Sequence, residues 1–151
     1  MSSSRIERTD STLTNWLLES SLLQSGIDVT SLPVATLAYL GDAVHSFFAK
    51  VRSLNSLSVG RIHKKVASLV SREFQAKCLE QLFPRLSERE LSVVKRAMNS
   101  KCAKKYGNDE NYRKSTALEA LIGYLYLTGD RDRLLEVLSF SLTENGDDRV
   151  R

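Results

Sequence analysis

The stretch Leu37–Val51 constrains the fold more than any other part of the chain. Its large apolar residues, Leu37, Leu40, Val44, Phe47, Phe48 and Val51, recur at three- and four-residue steps. That is the period of a helix with one buried stripe. Around Asp42 the opposite face carries Ala35, Ala38, Ser46 and Ala49, with His45 at its edge. A lone carboxylate in a strip of small side chains leaves space above it, enough for a packed helix, a metal ion or a phosphate. The plain alternative is an exposed Asp on an amphipathic helix.

The same period runs through the remaining segments. Thr12–Leu23 reads as a short helix with Trp16, Leu17, Leu22 and Leu23 on its apolar side. Pro33 suits the first turn of the Leu37–Val51 helix, which runs to about Ser53, and Asn55–Gly60 is a polar break. Arg61–Leu82 reads as one long helix, with Ile62, Val66, Leu69, Val70, Phe74, Cys78 and Leu82 as its stripe. Ser87 with Glu90 is a capping box that opens a helix to about Asn99. Ser100–Lys114 is basic and almost free of aliphatic residues, which predicts a mobile loop. Ser115–Leu127 is a helix with Leu118, Leu121, Ile122 and Leu125 inward, and Glu119 apart from them beside Ser115, Thr116 and Gly123. Asp130–Leu142 gives a last helix, with Leu134, Leu135, Leu138 and Leu142 inward. No stretch alternates as a half-buried strand does, so the expected fold is all-α. The expected organisation is a flexible tail over 1–11, one domain over 12–143 and a polar tail over 144–151.

A chain of 151 residues can bury a sizeable single core. No apolar run approaches the ~20 residues a membrane helix needs. The N-terminus lacks the apolar region of a secretory signal, and Glu7 and Asp10 argue against a transit peptide. Cys78 and Cys102, far apart in sequence, read as reduced thiols of a reducing compartment and not as a zinc site. These points together predict a cytoplasmic protein.

Charge is unevenly spread. Residues 61–114 hold 14 Lys/Arg against 6 Asp/Glu, a net of +8, while the rest of the chain has a net of −4. Such asymmetry points to a face for a polyanion. The candidates to hold it are Lys64, Lys65, Arg72, Lys101, Lys104, Lys105, Arg113 and Lys114. Between Asp28 and Asp130, the acids outside the basic segment are Asp42 and Glu119. No Gly-rich phosphate loop, paired-His metal motif or nucleophile elbow is present. Acid-only chemistry remains. Two carboxylates suit Mg²⁺, which commonly takes one or two of them and completes its shell with water and phosphate oxygens. Metal ions are also the usual means of hydrolysing a phosphodiester.

Leu37-Ala38-Tyr39-Leu40-Gly41-Asp42-Ala43-Val44 resembles the signature helix of the ribonuclease III family, and Ala117–Leu127 resembles its second acidic helix. The match is nearest to the Mini-ribonuclease III subfamily, which lacks a double-stranded-RNA-binding domain. His63-Lys64-Lys65, Val70-Ser71 with Gln75-Ala76, Lys95-Arg96 through Asn99-Ser100-Lys101, and Tyr112-Arg113 leading into Ser115-Thr116-Ala117 add to it. The resemblance covers about residues 32–143. It implies an all-helical homodimeric endonuclease that cuts double-stranded RNA with Mg²⁺, for which Mn²⁺ would substitute. It further implies action on precursor large-subunit (23S) ribosomal RNA, with room for a ribosomal-protein helper. The family's catalytic and metal-binding acids fall on Asp42 and Glu119. Larger members usually have a Glu four residues before the signature Asp, where this chain has Ala38. They have an Asp three residues before the second Glu, where this chain has Thr116, and Val59 stands in place of another Glu. This thinning predicts a metal held by few protein oxygens and more water. The alternative it leaves open is a non-catalytic domain binding structured RNA in ribosome assembly.

Overall fold

The computed structural model describes residues 27–54 and 58–143. Among them are six α-helices, three short 3₁₀ turns and no strand, as the periodicity predicts. The helices are α1 (Val34–Arg52), α2 (Val59–Leu69), α3 (Arg72–Leu82), α4 (Glu88–Met98), α5 (Glu110–Thr128) and α6 (Arg131–Ser141). The expected helix Thr12–Leu23 and the expected tails lie outside the described residues.

Helix α5 is the axis of the domain, and α1, α3, α4 and α6 all pack on it. Its predicted inward residues Leu118, Leu121, Ile122 and Leu125 are buried, but so are Ser115, Thr116, Ala117, Ala120 and Gly123. A helix enclosed on every side has no polar face, and small residues fill the positions where neighbours come closest. Asp109 caps its start, accepting from the Tyr112 N–H at 3.0 Å. Gly129, at φ 72°, ends it in the left-handed conformation that glycine adopts without strain.

The largest helix contact, α1 on α5, decides which face of α1 is inside. Leu37 and Val44 are buried as expected, but so are Ala38, Gly41, His45 and Ala49. Phe47 and Val51 remain 47% and 46% exposed. The core face is thus rotated from the large-residue stripe toward the small-residue strip. The space beside Asp42 is partly taken by a helix, one of the three occupants the sequence allowed. A Cβ added at Gly41 would lie 1.6 Å from the Glu119 carbonyl oxygen, and one at Gly123 2.1 Å from the Leu37 carbonyl oxygen. The two backbones therefore touch, and no other residue fits at either glycine without moving a helix.

Two expectations are corrected. The predicted single helix Arg61–Leu82 is two helices, broken at Val70–Ser71. Ser71 has extended backbone, and its hydroxyl accepts from the Phe74 N–H at 3.3 Å. A serine N-cap followed by Glu73 in the first turn outweighs continued helix. The apolar stripe itself holds, with Val66, Leu69, Cys78 and Leu82 buried. Second, Ser100–Lys114 is not a free loop. Cys102–Lys104 is a 3₁₀ turn with Ala103 buried, and α5 begins at Glu110. The Ser100 hydroxyl donates to the Ala97 carbonyl at 2.6 Å, and Arg113 Nε to the Met98 carbonyl at 3.0 Å. Neither cysteine forms a disulfide among the described residues, and Cys78 is buried while Cys102 is partly so.

Candidate active site

The glycine contact that fixes the α1–α5 crossing also builds the site. Gly41 precedes Asp42, and the carbonyl it touches belongs to Glu119. The backbones of the two acids are thereby locked together. Asp42 is exposed on the flank of α1, whereas Glu119 is partly buried on α5. Burial, and then the charge of Asp42, push the Glu119 carboxyl up to about 8, with a hydrogen bond from Gln75 opposing. The Gly41–Glu119 backbone contact sets both acids at the one α1–α5 crossing. Among the described residues, neither is ion-paired with a Lys, Arg or His.

Nor does a third acid join them, since no cluster of three or more His, Cys, Asp or Glu exists among the described residues. Ala38 is buried at the crossing. The Thr116 hydroxyl donates to the Tyr112 carbonyl at 2.9 Å. Val59 is 82% exposed at the start of α2. A pair of hard oxygen donors with unpaired charge fits a divalent cation such as Mg²⁺ that keeps much of its water.

His45 is fully buried on α1, with Nδ1 3.2 Å from Gln75 Nε2. Its Nε2 is buried with no hydrogen-bond partner among the described residues. Burial pushes its pKa down to about 4, against the opposing pull of the Ser141 backbone. It is the packed, hydrogen-bonded histidine, and it faces away from solvent.

The eight basic candidates divide. Lys64, Lys65, Lys101, Lys104 and Lys105 are exposed. Arg72, Arg113 and Lys114 have partners inside the protein. Arg72 pairs with Asp109 at 2.6 Å and lies about 5 Å from the ring centres of both Tyr106 and Tyr112. Arg113 holds the Met98 carbonyl. Lys114 contacts Glu80 at 2.6 Å and Glu110 at 3.4 Å, and the Glu80 hydrogen bond leads the causes that raise its pKa. These three tie the start of α5 to Arg72's helix, to the end of α4 and to Glu80, while the five lysines remain exposed.

The residue that sequence reading missed as part of the site is Gln75. It lies three and seven residues before Cys78 and Leu82, on the apolar stripe of α3, and is 2% exposed. An amide at the centre of an apolar stripe is the signal that marks it, since buried polar groups need partners.

Residues 35–130 match the ribonuclease III domain family. With its all-helical fold and carboxylate pair, the chain belongs to the ribonuclease III family. Mini-ribonuclease 3 of Kosmotoga olearia is 42% identical over 109 residues, covering 71% of this chain and 75% of the relative. Mini-ribonuclease 3 of Symbiobacterium thermophilum is 43% identical over 112 residues, covering 72% and 86%. These relatives place the chain in the Mini-ribonuclease III group of that family. Among solved structures, the crystal structure of protein FN1578 from Fusobacterium nucleatum aligns with a TM-score of 0.67 at 26% identity, covering 74% of this chain and 93% of that one.

Proposed function

We propose that this protein is a Mg²⁺-dependent endoribonuclease that hydrolyses double-stranded RNA, with precursor 23S ribosomal RNA as its substrate. Mn²⁺ would substitute for Mg²⁺. One observation carries the reading. Glu119 is partly buried beside a second carboxylate, and among the described residues no basic side chain is ion-paired to it. A fold tolerates such a charge when a cation neutralises it. A bound divalent ion there would activate water and stabilise the leaving oxygen of a phosphodiester.

Asp42 and Glu119 would hold that ion. Asp42, exposed on α1, would meet a phosphate arriving from solvent. Glu119 supplies the charge from the protein side. The exposed Lys64, Lys65, Lys101, Lys104 and Lys105 would hold the duplex through its phosphates, because A-form RNA offers mainly shape and backbone to a protein. Tyr39, Phe47, Val51 and Leu54 are exposed apolar side chains on or just after α1, at 85%, 47%, 46% and 66%. A second copy of the chain would cover them, giving a homodimer with two sites. Among the described residues no helix is long and apolar enough to cross a membrane. The reading places the protein in the cytoplasm with its RNA.

The test is incubation of the purified protein with long duplex RNA, with and without Mg²⁺, read on a denaturing gel. Metal-dependent shortening that disappears in Asp42→Asn and Glu119→Gln is expected. Duplex binding without any cleavage would replace this reading by the non-catalytic one.

A further inference from the structure

We propose that Arg72 is a positioning residue for duplex RNA. Through Asp109, Tyr106 and Tyr112 it ties the basic segment 101–108 to the start of α5, and so sets where Lys101, Lys104 and Lys105 stand relative to the acid pair. The inference rests on the double-stranded-RNA reading above. Arg72 opens α3, 37 residues before Asp109. Its Nη1 lies 2.6 Å from Asp109 Oδ2. The other oxygen, Oδ1, accepts from the Tyr112 N–H at 3.0 Å and caps α5. One carboxylate therefore joins the starts of two helices. The Arg72 guanidinium carbon is 5.1 Å from the Tyr106 ring centre and 5.0 Å from that of Tyr112. The two rings meet edge to face at 4.7 Å. A guanidinium pairs with a carboxylate and is attracted to aromatic rings at these distances, so Arg72 holds all three groups at once.

The segment has anchors at both ends. At the first, the Ser100 hydroxyl donates to the Ala97 carbonyl at 2.6 Å and accepts from the Ala103 N–H at 3.3 Å, with Ala103 buried. Beyond Ala103 come Lys104, Lys105, Tyr106, Gly107 and Asn108, all exposed. The side chain that ties this stretch down is Tyr106, which meets Arg72, Tyr112 and, at 5.6 Å from its ring centre, Lys105 Nζ. Tyr106 is 53% exposed, so its ring partners seat it more than burial does. Gly107, at φ 69°, turns the chain back toward Asp109. Tyr112 stands two helical turns before Glu119 on α5, about 10 Å along the axis. A segment already ordered there meets phosphates without first losing backbone freedom, so the latch raises affinity without adding a phosphate contact.

Asp109→Asn gives the test its sign. Asparagine caps a helix as well as aspartate does, so α5 keeps its start. With the amide oxygen on the Tyr112 N–H, the –NH₂ group faces Arg72, a donor against a donor, and the tie is lost. The variant is also more positive by one charge beside the basic segment. Charge alone would make it hold a polyanion more tightly. The latch requires the reverse: affinity for duplex RNA, measured without divalent ion, about fivefold weaker at an unchanged salt slope. Tyr106→Ala changes no charge and should weaken binding by a similar factor, with the loss in cleavage falling on KM rather than kcat. In both variants amide hydrogen exchange of the RNA-free protein should quicken over 101–108, where the N–H groups of Lys104, Lys105 and Gly107 donate to the Lys101, Cys102 and Lys104 carbonyls. An Asp109→Asn protein that binds duplex RNA as tightly as the parent, or more tightly, overturns the proposal. Weaker binding with a reduced salt slope, or without faster exchange, overturns it too, because the changed residue then acts by direct contact. If Asp109→Asn does not fold, parental affinity or parental exchange in Tyr106→Ala overturns it. A wild-type protein that does not bind duplex RNA overturns the functional reading itself, whatever the exchange shows.

Discussion

Glu90 and Glu119 are both withdrawn from solvent, on neighbouring helices that pack together, and they are shifted in opposite directions. At Glu90, burial alone would raise the carboxyl. Hydrogen bonds from Arg133 and the Ser87 backbone, with the Arg133 charge, outweigh it and hold the group below its ordinary value. Arg133 donates from Nε and Nη2 to the two Glu90 oxygens, each at 2.9 Å, and also holds the Arg85 carbonyl. Glu90 closes the capping box with Ser87 as well. Both carboxylate oxygens accept hydrogen bonds, and the pair joins α4 to α6. Glu119 has only Gln75 against burial and a second acid, and its carboxyl rises to about 8. A buried acid with its own cation is a structural joint. One beside a like charge, with its carboxyl shifted upward, is the kind of group that the proposed function puts to use.

The comparison breaks most visibly through stability. Arg133→Met should leave Glu90 buried and unpaired, a loss of 3–5 kcal/mol in typical buried pairs. Arg133 is 18% exposed, so about 3 kcal/mol is expected here. Urea unfolding should record it, with cleavage per folded molecule unchanged. A loss below about 1 kcal/mol would place the pair among ordinary surface bridges.

At the other acid the effects exchange. Glu119→Gln and Asp42→Asn should each lower the cleavage rate by at least about a hundredfold, equivalent to ~2.7 kcal/mol of barrier. Metal-free Glu119→Gln should be as stable as the parent or more so. Near-wild-type turnover in either variant would remove that residue from the metal's ligands.

The pH dependence sharpens the contrast. Glu119 retains a proton in the folded state up to about 8 that the unfolded chain releases near 4.5, so it makes metal-free stability fall as pH rises between those values. Glu90 works oppositely, adding stability above 4.5 that is lost as pH falls through its lowered folded value. His45, held at about 4, also loses stability on acidification below 6.5. The interval from pH 6.5 to 8 therefore isolates Glu119. The metal-free parent should lose stability across it and Glu119→Gln should not. Stabilisation by added Mg²⁺ should be larger at the top of the interval than at the bottom. Parallel curves for parent and variant would deny Glu119 its unusual environment.

The smallest effects belong to the rim. Charge reversal at Lys101, Lys104 and Lys105 should weaken duplex binding and reduce the salt slope by about one unit per lost phosphate contact. Arg72→Gln should act instead through the segment it ties to Asp109, Tyr106 and Tyr112. An Arg72 variant with the larger loss of salt slope would make that arginine a phosphate contact after all.

The sequence by itself determined that the protein is helical, where most helices lie, and which two acids stand apart from the charge around them. Periodicity is a local property, and the Ser87–Glu90 capping box needs only four consecutive residues. The structure decided what depends on neighbours distant in the chain. Which side of α1 faces inward depended on α5, because only glycine at Gly41 and Gly123 lets the backbones meet. The break at Ser71 set a short-range cap against a continuous apolar stripe, and the stripe is the same on either side of it. Arg72, Arg113 and Lys114 look like free positive charge until the Asp109, Met98 and Glu80 groups that hold them are brought near. Gln75 was hidden for the same reason. A polar side chain on an apolar stripe acquires its meaning from His45 and Glu119, which folding brings to it from 30 residues before and 44 after.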